Sequence, residues 1–168
     1  MIPLRTYTKD KKLNAIIETP YHSRNKYSYD EDTGLYKFKK LLPDGMSFPC
    51  DMGFIPGTKG DDGDPLDILI LMDDYAYPGC WVECRLLGGI KAVQIENGKK
   101  ARNDRFVAVP AEVDEYNHLN QITDLNKNKL KSIVCFFENY NKLEKKEFKF
   151  LEIMSAKKAH EVIGKYVI

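Results

Sequence analysis

The stretch GDDGDPLDILIL at residues 60–71 puts Asp61, Asp62, Asp64 and Asp67 at the mouth of an apolar run, with no basic residue among them. Two unit charges about 4 Å apart, at an effective dielectric of about 20, repel by roughly 4 kcal/mol. Carboxylates converging at a strand end therefore either raise their pKa values or collect a cation. A solvated turn is the plain alternative, because Gly63 and Pro65 punctuate chains and Asp favours turns. Asp67 weakens that alternative. It lies two residues past the proline and runs straight into Ile68-Leu69-Ile70-Leu71, which reads as a buried strand. The stretch favours a metal site at the entrance to the core and leaves the turn open.

At 168 residues the chain has the size of one domain and can bury a sizeable core. Its 26 Lys and Arg balance 25 Asp and Glu, which points to neither a nucleic-acid binder nor an acidic tail. Charge is nevertheless segregated along the sequence. Residues 60–74 hold six acids and no base, with Arg24, Lys26, Lys37, Lys39 and Lys40 upstream and Lys99, Lys100, Arg102 and Arg105 downstream. An acidic patch between basic ones suits a polyanion held partly through metal ions, whereas the lysines of 142–149 read as a solvated face. The longest apolar run is far too short to span a bilayer, and the opening MIPLRTYTKDKK lacks the apolar segment of a signal peptide. Cys50, Cys80, Cys84 and Cys135 form no CxxC pair, and the three histidines are scattered. A thiolate zinc site is disfavoured, and reduced thiols in the cytoplasm fit better.

The first two thirds read as β. Strands are expected at 13–19, in a hairpin over 26–40 around Asp32-Thr33-Gly34, at Phe54-Ile55, at 67–72, over 81–95 with a bulge at Gly88-Gly89, and at 105–110. Short strands with no helix between them predict an antiparallel closed barrel. The last third changes period. Leu130, Ile133, Val134, Phe137 and Tyr140 fall at helical spacing, giving a helix over 127–143. A strand at 147–153 follows, and Ser155 caps a terminal helix carrying Ala159, Val162, Ile163 and Tyr166.

Acidic oxygen ligands without His or Cys favour a hard cation, magnesium before manganese or calcium. An EF-hand loop fails on Pro65, on the missing central glycine and on the strand that fills its second half. Magnesium held by few carboxylates completes its shell with waters and substrate phosphates, which points to phosphoryl chemistry. Here the sequence resembles a known family. Asp62-Gly63-Asp64-Pro65-Leu66-Asp67 is similar to the DGDPxD motif of the family I soluble inorganic pyrophosphatases. In the same order, Ile17-Glu18-Thr19-Pro20 resembles the early glutamate strand and Asn25-Lys26-Tyr27 the following lysine. Phe48 to Phe54 resembles the YPxxYGY segment, and VAVP (107–110) and FFENY (136–140) continue the likeness.

The resemblance implies a mainly β fold with α. Its centre is an OB-like closed antiparallel barrel, with two helices from the C-terminal half packed outside. It implies magnesium-dependent hydrolysis of pyrophosphate in the cytoplasm, by a homo-oligomer that binds neither nucleic acid nor membrane. Asp62 and Asp67 would hold the metals that activate water, with Asp67 accepting its proton and Asp64 supporting it. Glu18 would hold a further metal, and Lys26, Lys40 and Tyr140 would bind phosphate. Neutralising Asp67 is expected to relieve repulsion in the metal-free protein.

The sequence also departs from the pattern. Ser28, Phe48, Met52 and Asn141 replace family residues, and Lys40 stands where an arginine is usual. The family's second acidic pair falls in a lengthened segment, KAVQIENGKKARNDR (91–105), where Gln94 or Glu96 and Asn103 or Asp104 compete for the two positions. Charge prefers Glu96 and Asp104 as metal ligands, with Arg105 facing phosphate. Neighbouring side chains of a strand point to opposite faces, so Asp104 and Arg105 can share the pocket only if the chain bulges there. A catalytically impaired binding module on the same barrel is the alternative function.

Overall fold

The computed structural model describes residues 4–168. Its strands are β1 (Leu13–Thr19), β2 (Asn25–Asp30), β3 (Leu35–Leu41), β4 (Asp51–Phe54), β5 (Asp67–Ile70), β6 (Trp81–Glu96), β7 (Lys99–Arg102), β8 (Arg105–Pro110) and β9 (Glu147–Ser155). Its helices are α1 (Lys127–Leu143) and α2 (Ala156–Tyr166). The predicted bounds of β1 and α1 are those observed, because each rests on a periodic pattern closed by clear signals. Asn126 caps α1 by accepting the Asn128 N–H at 2.8 Å, and Ser155 caps α2 by accepting that of Lys158 at 3.3 Å.

Hydrogen-bonded neighbours run β1-β4-β5-β8-β6, and β6 pairs back to β1 to close a ring of five strands in the OB-like manner. One expectation is corrected: the ring is not wholly antiparallel, for β5 and β8 run parallel. The reason is topological. Direction cannot alternate around an odd ring without one like-directed pair. Both strands are buried on both faces, as their apolar runs suggest. Ile68, Ile70, Phe106 and Ala108 pack with Ile17, Leu86 and the α2 residues Ala159, Val162 and Ile163. Leu69, Leu71, Val107 and Val109 pack the other way, with Leu87, Phe48 and the α1 residues Ile133 and Phe137. None of the helices among the described residues is long and apolar enough to cross a membrane.

Strand β6 serves the ring with its first half and leaves it with its second, where it pairs with β7 and β9. The bend is the predicted bulge: register shifts between Leu86 and Gly88, and a Cβ on Gly88 would meet the Met154 carbonyl oxygen at 2.3 Å. The surplus residues of 91–105, expected to form a bulge before β8, instead form the β6–β7 hairpin. Asn97 and Gly98 take φ of 50° and 76° between the paired Glu96 and Lys99, as a two-residue type I′ turn requires. The Asn-Gly signal for it stands in the sequence.

Asp51, at the start of β4, is fully buried. Its Oδ1 accepts the N–H groups of Tyr21 (3.0 Å) and Ala76 (3.2 Å), tying two loops to the sheet, while Oδ2 is buried without a partner. Burial raises its pKa from 3.8 to about 6, against the lowering effect of the two donors. The folded chain therefore holds this proton more tightly than the unfolded one. The stability it confers is complete below the ordinary value of 3.8 and is lost as pH rises through about 6. By the usual conversion the loss is about 3 kcal/mol at pH 8. Asp51→Asn, which keeps the accepting oxygen, should gain on wild type by about 2–3 kcal/mol between pH 4 and pH 8 in denaturant titrations. A constant difference across that range would show that Asp51 is ionised without penalty.

Candidate active site

The acidic loop between β4 and β5 is pinned from both sides. Gly60 N–H donates to the Asp64 carbonyl (2.7 Å), and the Asp62 carboxylate accepts the Asp64 N–H (3.2 Å). The end of α2 holds the loop from below. The Tyr166 hydroxyl donates to Asp61 (3.2 Å), and the Tyr166 carbonyl accepts the Lys59 N–H (2.8 Å). Asp61 is thereby turned outward, while Asp62, Asp64 and Asp67 line an open cavity of about 730 Å³. Glu18 of β1 joins them and accepts the Tyr29 N–H at 2.6 Å.

Crowding shows in the carboxyl groups. Burial pushes Glu18 up to about 7, with Asp67 adding to the rise and the Tyr29 N–H and Lys26 opposing it. Asp67 is also raised, by burial first, with Asp62 and Asp64 contributing and Arg105 and Lys26 holding it down. Its Oδ2 lies 2.5 Å from Nη1 of Arg105. The parallel register Ile68↔Phe106 creates this pair, because it sets the first residues of β5 and β8 side by side. Only 6% of Arg105 is exposed, and its guanidinium lies over the rings of Phe137 (5.1 Å) and Phe148 (5.9 Å). Neutralising Asp67 would still remove its repulsion from Asp62 and Asp64, as expected, but a second effect opposes that gain. Asp67 is the partner of a buried cation that its loss would strand.

The other cations arrive on the β2–β3 hairpin, a separate two-stranded sheet in which Lys26 lies opposite Lys40. Both project over the Tyr140 ring of α1, at 5.4 and 4.7 Å, and Lys26 reaches the Tyr140 hydroxyl at 3.4 Å. Glu144 neutralises Lys40 at 2.6 Å. Eight proposed site residues therefore share one cavity: Glu18, Lys26, Lys40, Asp62, Asp64, Asp67, Arg105 and Tyr140.

Two do not. Asp104 is turned away, its carboxylate accepting from Arg102 (2.7 Å) and from the Ala92 N–H (3.2 Å). Glu96 stands outside, paired with Lys146 at 3.0 Å. Alternation decides the first case, since the hairpin removes the need for a bulge. Asn103 and Arg105, two residues apart, face the cavity and Asp104 faces away. Gln94 and Asn103 are the lining residues instead, along with Lys146, Asn141 and the acidic hairpin tip Asp30-Glu31-Asp32. Nothing in the sequence marks Lys146 apart from its neighbours in a lysine-rich run.

Among the described residues no three His, Cys, Asp or Glu side chains stand close enough to clasp one ion. The carboxylates fit a hard cation bound through one or two of them, its shell completed by water or substrate oxygens, as magnesium prefers. No histidine or cysteine of the kind that structural zinc sites use lines this cavity among the described residues.

The chain matches the model of the inorganic pyrophosphatase family over residues 15–167. An inorganic pyrophosphatase of Synechocystis sp. is 38% identical over 134 residues, covering 80% of this chain and 77% of that one. A soluble inorganic pyrophosphatase of Oryza sativa subsp. japonica is 36% identical over 162 residues, covering 92% and 74%. Among solved structures, the inorganic pyrophosphatase of Thermus thermophilus superposes with a TM-score of 0.87 at 32% identity, covering 98% of this chain and 94% of that one. Strand ring, acidic loop and sequence likeness agree: the chain belongs to the inorganic pyrophosphatase family.

Proposed function

We infer that the protein hydrolyses inorganic pyrophosphate to two phosphates with the help of magnesium ions. The observation that carries the inference is the convergence, in one cavity of a member of this family, of Glu18, Asp62, Asp64 and Asp67 with Lys26, Lys40, Arg105 and Tyr140. No observation favours the impaired binding module. Asp62 and Asp67 are suited to hold the cation, with Glu18 and Asp64 at hand for another. Bound there, a divalent cation lowers the pKa of water and spreads the charge of the phosphoryl group. Asp67, at the entrance to β5 beside Asp62 and Asp64, is suited to take the proton of the attacking water. Asp64 borders the same space and steadies the acceptor. Lys26, Lys40 and the Tyr140 hydroxyl orient the substrate and neutralise the phosphate that leaves. Four free cysteines suit a reducing compartment such as the cytoplasm, and the exposed Tyr75, Tyr77 and Trp81 suit association with further copies of this chain.

Two measurements test this reading. Phosphate release from pyrophosphate should depend on magnesium, vanish with a chelator and recover poorly with calcium, whose looser coordination misplaces the reacting oxygens. A folded protein that releases no phosphate across millimolar magnesium would refute it. Asp67→Asn should slow release by at least ~100-fold. In chelator it should melt no lower than wild type, because burial and the neighbouring Asp62 and Asp64 outweigh Arg105 at this position. Near wild-type turnover in that variant would make Asp67 structural.

A further inference from the structure

The cavity divides its charge between two walls. Glu18, Asp62, Asp64 and Asp67 come from β1 and from the loop entering β5. The wall built by β6 and the approach to β8 presents Gln94, Asn103 and Arg105, and none of these is a carboxylate. The acids nearby in sequence are engaged elsewhere, Glu96 on Lys146 and Asp104 on Arg102. The two amides are locked together: Asn103 donates to the Gln94 oxygen at 2.8 Å, and the Asn103 oxygen accepts from Arg105. This leaves the Gln94 NH₂ group to donate to a ligand. Arg105 is immobilised between Asp67 and two aromatic rings, yet its Nε is buried with no partner.

We propose that Gln94, Asn103 and Arg105 form a metal-free anion subsite. One phosphate group docks directly on it, and divalent cations bind only along the wall of Glu18, Asp62, Asp64 and Asp67. The proposal deepens the pyrophosphate reading and rests on it for the identity of the anion. Its physics is local. Amide oxygens bring no charge to offset a divalent cation, and magnesium selects anionic oxygen. A guanidinium that cannot be deprotonated, fixed in the same wall, repels a second cation placed there. With Nη1 taken by Asp67 and Asn103 and Nε buried, Arg105 meets a phosphate as a fixed positive charge, and the Gln94 NH₂ group supplies the hydrogen bond. In this wall a protein cation does the work that a metal ion would otherwise do.

The test counts ions and needs no turnover. Manganese titration followed by electron paramagnetic resonance gives the number bound per chain in wild type and in the double variant Gln94→Glu/Asn103→Asp. Calorimetry with inorganic phosphate in chelator gives the metal-free anion affinity of both. The double variant should bind at least one more manganese per chain, and its phosphate affinity without metal should fall by at least ~10-fold. Equal manganese counts, or an unchanged phosphate affinity, would overturn the subsite. Should the double variant fail to fold by circular dichroism, Gln94→Glu alone carries the same two readouts. A wild-type protein that bound these ions but left pyrophosphate intact would refute the proposed hydrolysis while leaving the subsite standing.

Discussion

Closing five strands into a ring forces one parallel pair, and the site depends on which pair that is. Here it is β5 with β8. Parallel neighbours begin at the same end of a sheet, so the first residues of both strands meet where the backbone emerges from the core. Those residues are Asp67 and Arg105. An acid and a base separated by 38 positions in sequence are thereby placed 2.5 Å apart, in a setting that hides most of the arginine from water. Neither charge could be buried there alone without a cost of several kcal/mol. Each licenses the other.

Around that pair the rest of the cavity is arranged by elements with separate reasons to exist. The acidic loop is held by the end of α2 through Tyr166, so a helix remote from the chemistry fixes which aspartates face inward. The β2–β3 hairpin stands off the ring and leans on it through aromatic contacts such as Tyr29 on Phe54, 5.7 Å between centroids. It delivers Lys26 and Lys40 to Tyr140 across the opening. Acidic and basic segments that alternate along the chain become opposed surfaces of one cavity. A polyanionic substrate can then meet carboxylates only in the company of cations.

The segment 91–105 shows why charge is a poor guide where geometry is strict. Asp104 is the better metal ligand by chemistry, and it still points away. The tight Asn97-Gly98 turn fixes the β6–β7 register, and the chain then enters β8 in a phase that sends Asn103 and Arg105 to the same face. Asp104 is not idle. It satisfies the Ala92 N–H and neutralises Arg102, so it helps hold the wall whose other side lines the site.

By itself the sequence determined the features that depend on neighbours along the chain. The strand 13–19, the helix 127–143, the Ser155 cap and the bend at Gly88 are all written in short-range periodicity and in residues with special backbone needs. It also determined that carboxylates gather at the entrance to β5, since a motif of six residues cannot scatter its own side chains far. Tertiary structure alone decided that Arg105 pairs with Asp67, that Asp61 is drawn off by Tyr166, and that Lys146 joins the cavity while Glu96 does not. Each of these depends on register between strands or on the docking of a helix, where a shift of one residue exchanges inside for outside. Such a shift leaves composition and local pattern untouched. It is settled only when the ring closes and its buried faces are filled.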